Sequence, residues 1–423
     1  MKFNTLDEWL SWQESLNPRE IDLGLERISS VLAQTGLNTS FDCPLITVAG
    51  TNGKGSVVAF IEAIAIAAGY TTGAYTSPHL LRYNERIRIN GEAVDDARLC
   101  ESFDRIDRAR DKVPLTYFEF GTLAAIDIFA SAKPDLVIME VGLGGRLDAV
   151  NCMDPDVSVI TSIAIDHVDW LGDNRESIGF EKAGIMRAGK LTVCGDADPP
   201  NSLLEHAAEL NSDLKVLCRD YRVKHSNETW DLLGDDTGID ALPVPALTGE
   251  FQYGNAATAI TALNCLQGMV FTREAIEQGL KSASLPGRYQ KVQSKPLVLL
   301  DVAHNVQAVA SLVAQLQTNP VRGKTHAVIA MLADKPVEQV IELASVVVDD
   351  WYSAGLESIP RGFSASAMAA SVERQVPNVK LSAASTVSEA CAQALAVAAE
   401  DDRVIVFGSF YTVAEAMAYF DNT

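Results

Sequence analysis

Positive charge is scarce in this 423-residue chain: 34 Lys and Arg stand against 56 Asp and Glu, a formal net charge of −22. A field of that sign repels phosphate backbones and anionic headgroups, so no nucleic-acid partner and no membrane surface is expected. Any phosphate site must then be local and assisted by Mg²⁺. No C-x-x-C pair occurs among the seven cysteines, an odd number, which excludes a zinc cluster and a disulfide framework. Cys43, Cys100, Cys152, Cys194, Cys218, Cys265 and Cys391 read instead as small, mostly buried hydrophobes of a reducing, cytoplasmic protein. No run of about 18 apolar residues is present, and the nearest approach, 57–69, is broken by Glu62. The opening M-K-F-N-T-L-D-E-W-L has no basic stretch followed by an apolar one, so no signal peptide is expected. Hydrophobic residues at 48% and charged residues at 21% exclude disorder over most of the length, and the length suits two or three domains.

Continuous apolar runs alternate with helix-length amphipathic stretches, the pattern of an α/β protein whose parallel strands are covered on both faces. The runs are 45–49, 136–141, 157–163 and 191–194. A polar stretch over 219–248 reads as an antiparallel elaboration, and helices are expected over 253–267 and 272–282. Turn residues in Leu285-Pro286-Gly287-Arg288-Tyr289-Gln290 break the pattern. A second α/β series follows Lys295-Pro296, with strands at 297–302, 326–331, 351–354 and 404–407. Two domains are therefore expected, 1–295 and 296–423.

The first strand runs into Gly50-Thr51-Asn52-Gly53-Lys54-Gly55-Ser56 and then a helix-like V-V-A-F-I-E-A-I. Strand, glycine-rich loop, lysine and helix N-terminus together make an anion cradle, with backbone N–H groups pointing inward and Lys54 as a point charge. The strict G-x-x-x-x-G-K-[ST] pattern is not met, since Val48 stands at the first glycine position and Gly55 follows the lysine. The bland alternative is a glycine-rich turn carrying a solvated lysine. The density of glycine beside Lys and Ser favours ATP. Glu140 closes the run 136–140 at the carboxyl edge where open α/β sheets place their sites. It is either a metal ligand or a solvated strand end, and the preceding phosphate loop favours the ligand. His167 emerges at the same edge.

G-T-N-G-K-G-S resembles the phosphate loop of Mur-type amide ligases, specifically the folylpolyglutamate synthase family. Further matching motifs follow in family order. They are Asp22-Leu23-Gly24-Leu25-Glu26-Arg27, Thr76-Ser77-Pro78-His79-Leu80, the stretch from Leu115 to Thr122, the stretch from Glu140 to Ala149, Asp166-His167-Val168-Asp169-Trp170-Leu171-Gly172, Glu181-Lys182-Ala183-Gly184-Ile185, 285–290 and Asp301-Val302-Ala303-His304-Asn305. They span nearly the whole chain, which looks like the bacterial bifunctional dihydrofolate synthase/folylpolyglutamate synthases. The resemblance implies a P-loop-containing, Mur-ligase-like central domain followed by a smaller Rossmann-like α/β domain. It implies a monomer that uses ATP and two Mg²⁺ to join L-glutamate to dihydropteroate, or to the γ-carboxyl of a reduced folate, through an acyl phosphate.

By the same resemblance Ser77, Glu140 and His167 correspond to one Mg²⁺ site, with Ser56 as the alternative contact on the nucleotide side. Lys182, otherwise a solvated surface lysine, would be carbamylated and serve a second Mg²⁺. Thr51, Asn52, Gly53, Lys54, Gly55 and Ser56 would hold ATP, with Asn255, Arg288 and Asp301 completing the nucleotide contacts, Asp301 at the ribose. The pteroate is placed by Asp22, Leu23 and Gly24, by Thr116, Tyr117, Phe118 and Glu119, and by Leu147, Asp148 and Ala149. Thr116 to Glu119, which open a helix-like run, would read bare more often as core. Asp148 would pair with the N–H edge of a reduced pterin. Arg82 is the candidate anion contact among Arg82, Arg86 and Arg88, whose bland reading is a charged hairpin face. His304 and Ser409 would receive glutamate, His304 together with Lys54 and Lys182 forming the catalytic set. Val306 stands where the family usually has Pro.

The site is thus expected in the cleft between the two domains. Rival readings are a monofunctional folylpolyglutamate synthase and a P-loop nucleotide switch without ligase activity. A cell-wall Mur ligase would need an N-terminal nucleotide-sugar domain, for which the roughly 44 residues before the first strand are too few.

Overall fold

The computed structural model describes residues 1–421 apart from 20, 227, 235–237 and 360. The chain divides into two compact units, 1–246 with 252–284, and 247–251 with 285–423.

The first unit is built on an eight-stranded sheet. Its strands are β1 (Leu45–Ala49), β2 (Thr72–Tyr75), β3 (Ile87–Ile89), β4 (Glu92–Ala93), β5 (Leu136–Glu140), β6 (Val157–Ile160), β7 (Leu191–Cys194) and β8 (Asp213–Val216). Their order is β4-β3-β2-β5-β1-β6-β7-β8, and only β3 runs against the others, antiparallel to both β2 and β4. Strands β1 and β5 are buried along their whole length, as continuous apolar runs covered by helices on both faces must be. The helix Lys54–Ala67 packs over β1, β5 and β2 and against the helix Arg273–Ser282. On the opposite side Trp9, Phe103, Phe120 and Phe129 form part of one continuous core. The expected strand 157–163 ends at Ile160, because the next residues turn to pair with the loop after β1. The expected elaboration over 219–248 is a three-stranded antiparallel sheet, β9 (Tyr221–His225), β10 (Thr229–Gly234) and β11 (Ile239–Pro243).

The second unit carries a six-stranded sheet of β12 (Gln290–Ser294), β13 (Leu297–Asp301), β14 (Thr325–Ile329), β15 (Asp350–Ala354), β16 (Lys380–Ala384) and β17 (Arg403–Phe407). Its order is β12-β13-β17-β14-β15-β16, parallel except for β12. The expected domain boundary at 295 is therefore corrected. Lys295-Pro296 is the turn of the β12–β13 hairpin, and the division falls at 284/285, with 247–251 also joining the second unit.

All seven cysteines are free; four are buried, Cys43 and Cys265 are partly so, and Cys218 is exposed. Among the described residues no helix is long and apolar enough to cross a membrane.

Candidate active site

In the first unit the candidate residues gather at the carboxyl ends of four adjacent strands, in the order β2, β5, β1, β6. The loop after β1 is held open by its neighbour after β6. The Thr51 N–H donates to the Ser162 carbonyl at 2.8 Å, the Ala164 N–H donates to Thr51 Oγ1 at 3.0 Å, and Thr161 Oγ1 donates to the Asn52 carbonyl at 2.7 Å. The helix that follows begins at Lys54 with Gly53 as its N-cap and no side chain capping it. Its first N–H groups are then available to an anion. Lys54 Nζ lies on the Gly50 and Thr51 carbonyls at 3.1 and 3.3 Å.

Two side chains of the helix Phe251–Asn264 brace this loop. Asn255 packs so closely that a Cβ on Gly53 would lie 2.7 Å from its Oδ1, and the +92° φ of Gly53 also excludes other residues. Asn255 Nδ2 donates to Gln252 Oε1 at 3.0 Å, and Gln252 Nε2 donates to the buried Ser56 hydroxyl at 3.2 Å. Gln252 is fully buried and was not among the residues picked out from the sequence; its three-residue spacing from Asn255 is the signal that places both on one helix face.

Glu140 ends β5 with only 4% of its surface exposed, and its Oε2 accepts the Ser77 N–H at 3.2 Å. His167 caps the short helix Val168–Leu171 in a left-handed conformation, φ 52°, beyond β6. Among the described residues no three His, Cys, Asp or Glu side chains form a metal-holding group by themselves. A carboxylate beside a hydroxyl-bearing residue is nevertheless a donor pair suited to Mg²⁺, which usually takes one or two carboxylates and completes its shell from phosphates and water.

Lys182 is not a surface lysine. It lies in the last turn of the helix Arg175–Ala183 and is 3% exposed. The loop after β5 presses on that helix: the Arg146 N–H donates to the Glu181 carbonyl at 2.7 Å, and a Cβ on Gly145 would stand 2.7 Å from the same oxygen. Burial, reinforced by the charge of Lys54, lowers the Lys182 ammonium to about 7 against the opposing pull of Asp166 and Asp148. Asp148 is equally buried, which raises its carboxyl to about 6 although backbone N–H groups of Leu143, Val150 and Gly142 and the charge of Lys54 work the other way. Lys54, Asp148, Asp166 and Lys182 thus share one electrostatic neighbourhood. Asp148 accepts the Leu143 and Val150 N–H groups at 2.8 and 3.0 Å, so it shapes the loop after β5.

The three segments expected to hold the pteroate are also brought together. Thr116 caps the helix Tyr117–Ala132 in a reciprocal box with Glu119. Arg27 clamps that buried Glu119 through Nε at 3.2 and 3.3 Å and pairs with Asp22 at 2.8 Å. The Gly24 N–H donates to the Leu147 carbonyl at 3.2 Å. Phe118 stacks beside Tyr75 with centroids 5.9 Å apart. Arg82, the expected anion contact, is exposed and paired with Asp96 at 3.0 Å. Arg88 is spent on the buried Glu62. Arg86 is the arginine of this loop that faces the aromatic cluster, over the rings of Tyr83 and Tyr117 at 5.4 and 5.6 Å, with its Nε–H donating to His79 Nδ1 at 2.8 Å. Sequence alone offers no signal for choosing among the three.

In the second unit, the residues expected to meet nucleotide and glutamate cluster beyond β13 and β17. Burial raises the Asp301 carboxyl, opposed by the charge of Arg288. Its oxygens accept the Tyr289 and Ala303 N–H groups, both at 2.8 Å. His304 Nδ1 lies 2.8 Å from the Val302 carbonyl, which can only accept, so Nδ1 carries the proton. Ser409 is buried after β17, and Phe410, absent from the sequence-derived set because an aromatic ring reads as core, stands beside Arg288.

A family model described as the Mur ligase middle domain matches residues 48–263, and one described as the Mur ligase glutamate ligase domain matches 287–410. The dihydrofolate synthase/folylpolyglutamate synthase of Escherichia coli (strain K12) is 43% identical over 417 residues, covering 98% of this chain and 96% of the relative. The solved structure of E. coli FolC in complex with DHPP and ADP superposes with a TM-score of 0.93 at 42% identity, covering 99% and 98% of the two chains. A bifunctional folylpolyglutamate synthase/dihydrofolate synthase from Yersinia pestis, complexed with AMPPNP and Mn ion, gives 0.91 at 45% identity with the same coverage.

Proposed function

This chain belongs to the dihydrofolate synthase/folylpolyglutamate synthase family of Mur-type ligases, and we propose that it uses ATP to join L-glutamate to dihydropteroate and to the γ-carboxyl of reduced folates. The observation that carries the reading is the shared edge of the first sheet, where the uncapped helix at Lys54, the Glu140–Ser77 pair and the Arg27–Glu119–Thr116 network meet.

The phosphates of ATP rest on the N–H groups of the loop from Thr51 to Ser56, and Lys54 Nζ exchanges its carbonyl partners for phosphate oxygens. The acceptor's carboxylate oxygen attacks the γ-phosphorus and ADP leaves, giving an acyl phosphate. The amine of glutamate then attacks the acyl carbon, the C–N bond forms, and the bond from carbon to the phosphate oxygen breaks to release phosphate. His304, protonated on Nδ1, offers Nε2 to take the proton lost by the amine, and the buried Ser409 helps receive the amino acid. Asp301 and Arg288 take the ribose side of the nucleotide. Mg²⁺, held by Ser77, Glu140 and His167, would neutralise charge on the phosphates.

Lys182 serves as a carbamate. Its amine, held near 7 by burial, is substantially neutral at physiological pH and adds CO₂ with loss of a proton, turning a buried cation into an oxygen-donor anion. A ¹³C resonance of a carbamate in protein equilibrated with labelled bicarbonate, absent from Lys182→Met, tests this step. The ligase reading itself is tested by ADP release that requires glutamate and acceptor together. Release with neither present at an equal rate would favour a nucleotide switch instead.

A further inference from the structure

We infer that Phe410 is a positioning residue whose ring sets Arg288 and His304 at the same time, so that the nucleotide end and the glutamate end of the second unit are aligned by one side chain. The inference rests on the ligase reading above and extends it to a residue which that reading does not use.

The frame under Phe410 is rigid. It opens the helix Phe410–Asp421 directly after the fully buried strand β17, and the Thr412 hydroxyl in the helix's first turn donates to the Ala330 carbonyl at 2.7 Å. The preceding Ser409 is buried and its Oγ accepts the Tyr411 N–H at 3.2 Å. Phe410 itself is only half-buried, so its ring is not simply core.

Two polar side chains lean on that ring. The Arg288 guanidinium carbon lies 5.0 Å from the ring centre, within the range of a cation–π contact. The His304 imidazole has its centroid 6.1 Å away at an interplanar angle of 53°, a tilted aromatic pair. The backbone around both partners is already fixed: the Val302 N–H donates to the Gly287 carbonyl at 2.9 Å, and the Tyr289 N–H donates to Asp301. What the backbone leaves open is the direction of a long guanidinium arm and the rotation of an imidazole anchored through Nδ1. The charge of Asp301 already acts on Arg288; a ring with a negative face and a positive edge adds an orienting contact to both side chains, where an aliphatic side chain of similar size would add only bulk.

The test compares Phe410→Leu with Phe410→Tyr in the full chain by steady-state kinetics. Phe410→Leu is expected to raise KM for ATP and KM for L-glutamate together, each by about threefold to tenfold, while KM for the pteroate or folate acceptor stays within about twofold. Phe410→Tyr, which keeps the ring, is expected to restore both to within about twofold. Unchanged KM values in Phe410→Leu, or a loss shared equally by all three substrates and not recovered by Phe410→Tyr, would overturn the inference. Should Phe410→Leu fail to fold, Phe410→Met takes its place with the same expectations. A wild-type chain without glutamate-dependent turnover would sink the ligase reading rather than this one. Titration of wild type and Phe410→Leu with a non-hydrolysable ATP analogue then decides, equal affinities counting against the role of the ring and weakened binding in the variant counting for it.

Discussion

The backbone N–H of Ser77 donates to Glu140 Oε2 at 3.2 Å, tying the loop after β2 to the end of its neighbour β5. Glu140 is thus a buried carboxylate fixed at the carboxyl edge of the sheet, the kind of oxygen ligand Mg²⁺ takes. Glu140→Gln preserves size and an acceptor but removes the charge. The Mg²⁺ concentration giving half-maximal ligation should rise about tenfold or more, the scale on which metal-site substitutions act. The unfolding midpoint measured without metal should hardly move. An unchanged Mg²⁺ dependence would remove Glu140 from the metal site.

Lys182 gives a signed pH prediction. Its folded value of about 7 lies below the ordinary 10.5, so between these values the unfolded chain holds a proton that the folded chain does not. The stability linked to this group is therefore complete above 10.5 and is lost as pH falls through 7. Lys182→Met removes the buried amine. In metal-free, CO₂-free buffer the variant should be more stable than wild type at pH 7, by on the order of 3 kcal/mol, with the gap narrowing by pH 9 to 10. Urea unfolding at the two pH values measures it, and a pH-independent gap would contradict the assigned burial.

Arg27 is the hinge pin of the expected pteroate site. Removing it leaves Glu119, 3% exposed, as a buried charge with only its own helix cap to answer it. Arg27→Met should destabilise the fold by about 2–4 kcal/mol and raise KM for the acceptor more than KM for ATP. Arg27→Lys should recover only part of this, because an ammonium cannot reproduce the fork that meets Glu119 and Asp22 together. Denaturant unfolding and acceptor titrations check both arms.

The phosphate loop was legible in the sequence because its chemistry is local: strand, glycines, lysine and helix follow one another without a gap. The same holds for Thr116 and Glu119, whose spacing writes a capping box directly into the chain. Strand β2, T-G-A-Y, was not legible, since four residues including a glycine carry little strand propensity and its pairing with β5 is made across 60 residues. The burial of Lys182 was hidden for a related reason. It depends on Gly145 allowing one loop to close on a helix far along the chain. Lys295-Pro296 looked like a linker because a hairpin turn and a domain junction use the same residues, and only the pairing of β12 with β13 tells them apart. Among Arg82, Arg86 and Arg88, composition is identical, and the ion pairs with Asp96 and Glu62 decide which two are already engaged.

The central claim is ATP-driven ligation of glutamate on two acceptors at one site. Incorporation of labelled L-glutamate, with ATP and Mg²⁺, into dihydropteroate and in parallel into a reduced folate tests it most directly, with Lys54→Ala alongside. The account predicts incorporation on both acceptors and its loss on both in Lys54→Ala. Incorporation on the folate alone would reduce the enzyme to a folylpolyglutamate synthase. ATP hydrolysis with neither acceptor extended, or full ligation by Lys54→Ala, would contradict the account.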